Sequence, residues 1–277
     1  MAEPELVLFA RAVSRVFGWI YFFSWSLSFY PQPLLNWRRR STYGFSVDFP
    51  TLNVLGFTAY TIQTSALLYS PTIRSQYAYR YPAAPEPTVR FNDFFFAAHA
   101  FVISLVIYSQ FWHKVWGFRD TKQRISSVSL GVFWGCVLGL VIVMLMAGFG
   151  GNGGYDPSTW AWIDVIYATG YVKLLVTVVK YIPQAWINYK RKSTVGWSIV
   201  PIFFDLTGGV LSLLQLVIDS LLQGDWSGVT GNPAKFGLGN VSIFFDIIFM
   251  VQHFVLYRHA KDVKEADEEG DYSYIEG

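Results

Sequence analysis

Charge is scarce in this sequence: Asp, Glu, Lys and Arg together make up 14% of 277 residues, against about 25% in ordinary soluble domains. Hydrophobic residues reach 53% and aromatic residues 19%, and the mean hydropathy is +0.33. The apolar residues fall in long blocks that lack the polar face a soluble helix or strand keeps at a period of 3.6 or 2. That pattern excludes a water-soluble globular domain and points to lipid as the solvent. Cysteine is nearly absent. The one residue, Cys136, sits inside an apolar block, which excludes an internal disulfide or a cysteine-based metal centre and leaves a packing role. No stretch of Lys and Arg interleaves with stacking aromatics, so nucleic acid is not an expected partner. Nothing in the pattern calls for a metal or an organic cofactor. No cleavable leader is evident either, and the first apolar block reads as a retained helix.

What the sequence does have is seven apolar blocks, each near the roughly 20 residues that a helix needs to cross a bilayer. They run from Ala12 to Tyr30, Phe49 to Tyr69, Phe94 to Trp112, Ser126 to Gly148, Trp160 to Tyr181, Ile199 to Leu221 and Gly237 to Tyr257. An odd number of crossings puts the termini on opposite sides. Basic residues set the direction, because cytosolic loops carry the excess of Lys and Arg. Arg38–Arg40, Lys114, Arg119, Lys122, Arg124, Lys190–Lys192, Arg258, Lys261 and Lys264 all fall on one side. The other side has Arg74, Arg80, Arg90 and Lys235, with Arg11 and Arg15 near its edge. The sequence therefore predicts a luminal N-terminus and a cytosolic C-terminus.

The chain also repeats itself. Tyr30-Pro31-Gln32, Asn36, Arg38–Arg40, Ser41-Thr42 and Gly44 return 152 residues later as Pro183-Gln184, Asn188, Lys190–Lys192, Ser193-Thr194 and Gly196. The same offset carries Ser46 onto Ser198, Asn53 onto Asp205 and Gly56 onto Gly208. The third helices echo as well, with Asp93 before His99 and Asp246 before His253. This predicts an all-α integral membrane fold of two parallel three-helix repeats joined by helix 4, a 3+1+3 arrangement. The units are residues 1–113, a linker helix with its loops over 114–159, a second repeat over 160–258, and a solvated cytosolic tail over 259–277. The tail contains Tyr272-Ser273-Tyr274-Ile275, the pattern of a tyrosine-based sorting signal, which makes a sorting adaptor a candidate partner. Parallel repeats pack about an axis along the membrane normal and hold substrate at their interface. Pro31-Gln32 and Pro183-Gln184 give each repeat a place to bend, since proline removes a backbone donor.

Several ionisable residues lie where the bilayer makes them costly, by about 2.5–3.5 kcal/mol each at the centre. Asp205 sits six residues into its block, Asp246 and Lys173 lie near the middle of theirs, and Lys180 lies on the same helix face as Lys173. These charges mark a substrate or proton path, or else a buried ion pair that fixes packing. Asp48, Asp164 and Asp219 read as solvated at the membrane interface, and His99 and His253 as satisfied bundle histidines.

Longer motifs carry a resemblance. Lys192-Ser193-Thr194-Val195-Gly196-Trp197-Ser198-Ile199, Asp205-Leu206-Thr207-Gly208-Gly209, Ser212-Leu213-Leu214-Gln215, Lys235-Phe236-Gly237-Leu238-Gly239 and Gln252-His253-Phe254 are similar to the cystinosin family of PQ-loop carriers, as is Asn36-Trp37-Arg38-Arg39 in the first repeat. The similarity runs from about Gly18 to Arg258. It implies a transporter, not an enzyme, that exports L-cystine with protons from lysosome or vacuole to cytosol by alternating access. It further implies that Asp205, Asp246 and Asp93 exchange protons. Asn36, Asn53, Lys173, Lys180, Tyr181, Asn188, Asp205 and Lys235 are then expected to contact or support substrate, with Pro31, Gln32, Pro183 and Gln184 as hinges. Pro201, four residues before Asp205, departs from the amide that the resemblance implies there. Other readings are a PQ-loop carrier for cationic amino acids or sugar, and a seven-helix receptor that binds without flux. An intramembrane aspartyl protease is disfavoured because the Gly-x-Gly-Asp signature is missing: Asn240 follows Gly237-Leu238-Gly239.

Overall fold

The structure is a computed structural model that describes residues 5–43, 45–83, 85–119, 123–149, 159–194, 197–223, 226 and 233–258. The tail with Tyr272–Ile275 and the side chain of Lys235 lie outside the described residues. Among the described residues, seven long helices cross from one face to the other. They are α1 (Glu5–Ser28), α3 (Asp48–Tyr69), α5 (Phe91–Ser109), α7 (Ser127–Phe149), α8 (Trp162–Arg191), α9 (Val200–Gln223) and α10 (Pro233–Val251). Short helices α2 (Pro31–Arg39), α4 (Pro71–Arg80) and α6 (His113–Trp116) sit at the connections, and α10 continues as a π-helical turn, Gln252–Leu256.

Six segments are long and apolar enough to span a membrane by composition, the first taking α1 and α2 together. The seventh crossing, α3, has 22 residues but carries Asp48, Asn53 and Gln63. All three are buried among other helices, so lipid does not meet them. The linker α7 is the reverse case: only Ser129 and Cys136 are buried, and its apolar surface faces outward. Cys136 packs where α7 meets Leu52, Ala59, Val172 and Val176 of α3 and α8, the packing role expected of it.

The repeats exchange helices symmetrically. Helix α1 lies along α9 and α3 along α8, forming two seams, while α5 and α10 each back onto their own repeat. Both seams close over a glycine at equivalent positions. A Cβ on Gly56 would sit 2.8 Å from Val176 Cγ1 of α8, and one on Gly208 would collide with the Trp25 ring of α1. That recurrence confirms in three dimensions the register read from the sequence.

The two Pro-Gln pairs differ locally. In the first repeat the helix breaks at Phe29–Tyr30, and Pro31 opens α2 at its first position, where a missing N–H costs nothing. In the second, α8 runs through Pro183 to Arg191, ten residues beyond the predicted end. Each helix then stops on a left-handed residue, Arg40 or Lys192, that lets the chain turn back.

Candidate functional site

A cavity of about 960 Å³, counting the part open to solvent, lies between the repeats at the centre of the bundle. The first repeat contributes Trp25, Ser28, Phe29, Gln32, Asn53 and Phe57 to its wall, and the second Lys173, Lys180, Tyr181, Gln184, Pro201 and Asp205. At the 152-residue offset, Lys180 corresponds to Ser28, Tyr181 to Phe29 and Asp205 to Asn53. The second repeat thus supplies the charges of the site and the first supplies neutral counterparts at the same places.

Helix periodicity explains the cluster on α8. Lys173 and Lys180 are two turns apart and therefore share one face, and both are buried. Neither ammonium has a carboxylate within ion-pair distance among the described residues. Instead, Lys173 Nζ lies 3.6 Å from the Phe57 ring centroid, and Lys180 Nζ lies 4.6 Å from the Tyr181 ring and 5.1 Å from Phe49. Aromatic faces attract cations without neutralising them, so both ammoniums keep their capacity for an anion. Tyr181 donates to Asp205 Oδ2 at 2.6 Å. The Trp25 indole donates to the Asp205 carbonyl at 3.2 Å and ties α1 to α9 at the same level. Asn53 Oδ1 is buried without a donor.

Asp246 is fully buried, and neither of its carboxylate oxygens has a hydrogen-bond partner. It lies one turn from Ser242 and Phe249, which do line the cavity, but is itself behind the wall. No ion pair joins Asp205, Asp246 and Lys173 among the described residues.

Other expected site residues lie elsewhere. Asn36 and Asn188 are buried, at 2% and 0% exposure, and neither lines the cavity. Each completes the same triad. Gln32 donates to Asn36 Oδ1 at 3.0 Å, Asn36 to Gln110 at 2.9 Å, and Gln110 to the Pro33 carbonyl at 3.1 Å. Gln184 donates to Asn188 at 3.0 Å, Asn188 to Gln252 at 3.1 Å, and Gln252 to the Ala185 carbonyl at 3.0 Å. These asparagines hold the segment after each proline in place.

The triads also correct the echo between the third helices. Gln110 and Gln252 occupy equivalent places, and counting back along each helix puts Ser104, not Asp93, opposite Asp246. Asp93 lies in the first turn of α5, where it accepts from the Arg90 backbone at 2.8 Å and from the Tyr21 hydroxyl. His99 and His253 diverge accordingly: the first bonds Tyr30 at 2.9 Å and the second Thr194 at 2.8 Å. The interfacial aspartates are not simply solvated either. Asp48 accepts from the Ser126 backbone at 2.8 Å, while Asp164 and Asp219 pair with arginines. The aromatic cradle of Trp25, Phe49, Phe57 and Tyr60 has no distinguishing signal in the sequence, because aromatics fill every block and only the fold selects those that line the cavity.

The PQ loop repeat family matches this chain twice, over residues 13–73 and 165–225. Those segments begin at the same distance from Pro31 and from Pro183. Cystinosin of Drosophila melanogaster is 41% identical over 92% of this chain and 61% of its own length. The cystinosin homologue of Arabidopsis thaliana is 40% identical over 94% of this chain and 91% of its own length. The chain belongs to the cystinosin family. It spans about three fifths of the fly relative, and nearly all of the plant one. A Saccharomyces cerevisiae protein named cystine transporter is 28% identical over 91% of this chain and 97% of its own length. The cystinosin-family match covers both repeats and the linker, so the cavity lies wholly within the similar region.

Proposed function

We propose that this chain is a proton-coupled carrier that moves L-cystine from the lumen of a lysosome or vacuole to the cytosol by alternating access. The observation that carries the reading is the charge pattern of the central cavity. Cystine has two ammonium and two carboxylate groups, and the wall offers two unneutralised lysines together with Asp205, Tyr181 and Asn53. Lys173 and Lys180 take the carboxylates, and Asp205 and Asn53 face the ammoniums. The family name of the relatives and the printed substrate of the yeast relative support the same assignment.

Asp205 and Asp246 are the proton-exchanging groups in this reading. An ionised carboxylate buried without partners is costly, so the charge of Asp246 is coupled to the cations that reach the cavity, those of substrate included. Asp93, which accepts from the Tyr21 hydroxyl and the Arg90 backbone, is the third such group. The excess of basic residues on the opposite face favours a luminal N-terminus and a cytosolic C-terminus. Asn36, Asn188 and the two prolines shape and move the wall without touching solute, whereas Gln32 and Gln184 form part of it.

The test is flux of labelled L-cystine through purified protein in liposomes, with and without an inward proton gradient, with arginine and glucose as competitors. Cystine uptake that rises with the gradient and ignores both competitors is the expected result. Movement of arginine without cystine would transfer the assignment to a carrier of cationic amino acids. Binding without flux would make the chain a receptor.

A further inference from the structure

Two ion pairs join the repeats among the described residues, one on each seam, and both lie on the face where α1 begins. On the α1–α9 seam, Asp219 of α9 holds two elements of the first repeat at once. Its Oδ1 accepts from Ser14 of α1 at 2.5 Å, and its Oδ2 from Arg90, just before α5, at 2.8 Å. Gln215, one turn earlier on α9, donates to the Ser14 carbonyl at 3.0 Å. Gly18 leaves the room this needs, since a Cβ there would lie 2.6 Å from Gln215 Nε2.

On the α3–α8 seam, Arg80 at the end of α4 grips Asp164 of α8 with both terminal guanidinium nitrogens, at 2.5 and 2.8 Å. Ile163 adds a backbone bond to Gln76 of α4 at 2.9 Å. The hydrogen bond to Asp164 raises the Arg80 pKa above its ordinary value, so this cation does not release its partner by losing its proton. Both carboxylates are largely withdrawn from water, with side-chain exposures of 11% for Asp219 and 20% for Asp164. The Arg80–Asp164 pair, with both partners shielded, resists the screening that makes exposed pairs nearly worthless, while the Arg90 guanidinium stays partly open to water at 42% exposure. At the opposite face, the contacts across the repeats among the described residues include a 3.4 Å bond from the Ser198 backbone to Gln32 and a cation–ring contact of 5.6 Å between Arg191 and Tyr43.

We propose that Asp219–Arg90 and Asp164–Arg80 are the two latches of the luminal gate, one per seam, and that luminal opening requires both to part. Asp219 and Asp164 are then positioning residues for transport, distant from the substrate. The inference rests on the carrier reading in its orientation and in the need for two access states. Rocking of one parallel repeat against the other opens one face as it closes the other. Charge pairs confined to one face bias that equilibrium, so removing them favours the lumen-open form.

The experiment uses full-length protein in oriented proteoliposomes, with Cys136→Ser to remove the native thiol and Leu238→Cys as a reporter. Leu238 lines the cavity beneath the latches, against the Tyr21 and Trp25 cluster. A membrane-impermeant thiol reagent is added to each side in turn. With Asp164→Asn and Asp219→Asn combined, labelling from the luminal side rises by about tenfold and cytosolic labelling falls, as a population shift between two states requires. Arg90→Gln moves the ratio in the same direction, and Arg90→Lys returns it toward the parent. Unchanged rates, a rise from both sides, or equal effects of Arg90→Gln and Arg90→Lys would each overturn the proposal. The readout needs no substrate, so it can fail while cystine flux stands, and can succeed if another solute is carried.

Discussion

Tyr181 and Asp205 meet at 2.6 Å across the cavity wall, tying α8 to α9 inside the second repeat. The equivalent residues of the first repeat, Phe29 and Asn53, line the same cavity but cannot form this bond. One backbone plan has therefore been given two chemistries, a charged half and a neutral half. A dipolar substrate suits such a wall, because its ionic groups find partners on one side and its apolar span finds Phe29 and Phe57 on the other.

The Tyr181–Asp205 bond is the first point to test. Hydrogen bonds to charged groups contribute about 1.5–3 kcal/mol, so Tyr181→Phe is expected to lower proton-driven cystine flux by about one to two decades. The ring remains to pack on Phe245 at 5.0 Å, so insertion and yield should be unchanged. Flux at the parental rate in liposomes would remove Tyr181 from the mechanism.

Asp205→Asn keeps the shape of the side chain and removes its exchangeable proton. Uptake driven by the gradient should vanish, whereas exchange of cystine at equal pH on both sides should survive in part. The pair of assays separates coupling from binding. Full dependence on the gradient in the variant would reassign coupling to Asp246.

The triads predict a different signature. Asn188 bonds Gln184 and Gln252 and lies outside the cavity, so Asn188→Ala leaves buried amide groups unpaired. That costs about 1–3 kcal/mol and should lower the melting temperature in detergent. The KM for cystine should hold while the maximal rate falls. A rise in KM with unchanged stability would restore Asn188 to the substrate contacts.

These residues also mark what could and could not be read before the fold was known. The repeat was legible because Pro-Gln, the basic triplet and the two glycines recur at one offset, and each does the same physical work twice. Asp205, Lys173 and Lys180 were legible because charge within an apolar block is costly and needs a reason. The third helices misled because Asp93 and Asp246 stand at similar distances from a histidine, although one caps a helix and the other lies deep inside. The register there is set by Gln110 and Gln252, whose partners are backbone carbonyls some seventy residues away in sequence. Amides are common, and pairing at that range has no local signal. Asp164 and Asp219 were read as solvated for a similar reason, since their arginines approach from other elements.

Close seams make a further prediction. Gly56 faces Val176 across the α3–α8 seam so closely that a Cβ would lie only 2.8 Å from Val176 Cγ1. Gly56→Ala must push the helices apart or force Val176 off its rotamer, and overpacking of this kind costs about 1–3 kcal/mol. A lower melting temperature is expected, with relief by Val176→Ala in the same chain. Additive losses in the double variant would place the strain elsewhere.

The two prolines should not behave alike. Pro183 lies inside α8, where it removes a backbone donor and crowds the carbonyl of Val179. Pro31 begins α2 after a break and has no helical bond to remove. Pro183→Ala should therefore straighten and stabilise α8, raising the melting temperature while slowing cystine flux, because the bend that lets the second repeat rearrange becomes harder to make. Pro31→Ala should change both quantities less. Binding of cystine, measured by calorimetry, should be nearly the same in both variants, since neither ring lines the cavity. Equal slowing by both substitutions would mean that the break at Phe29–Tyr30 is a working hinge as well, and that the two repeats bend by the same device despite their different local geometry.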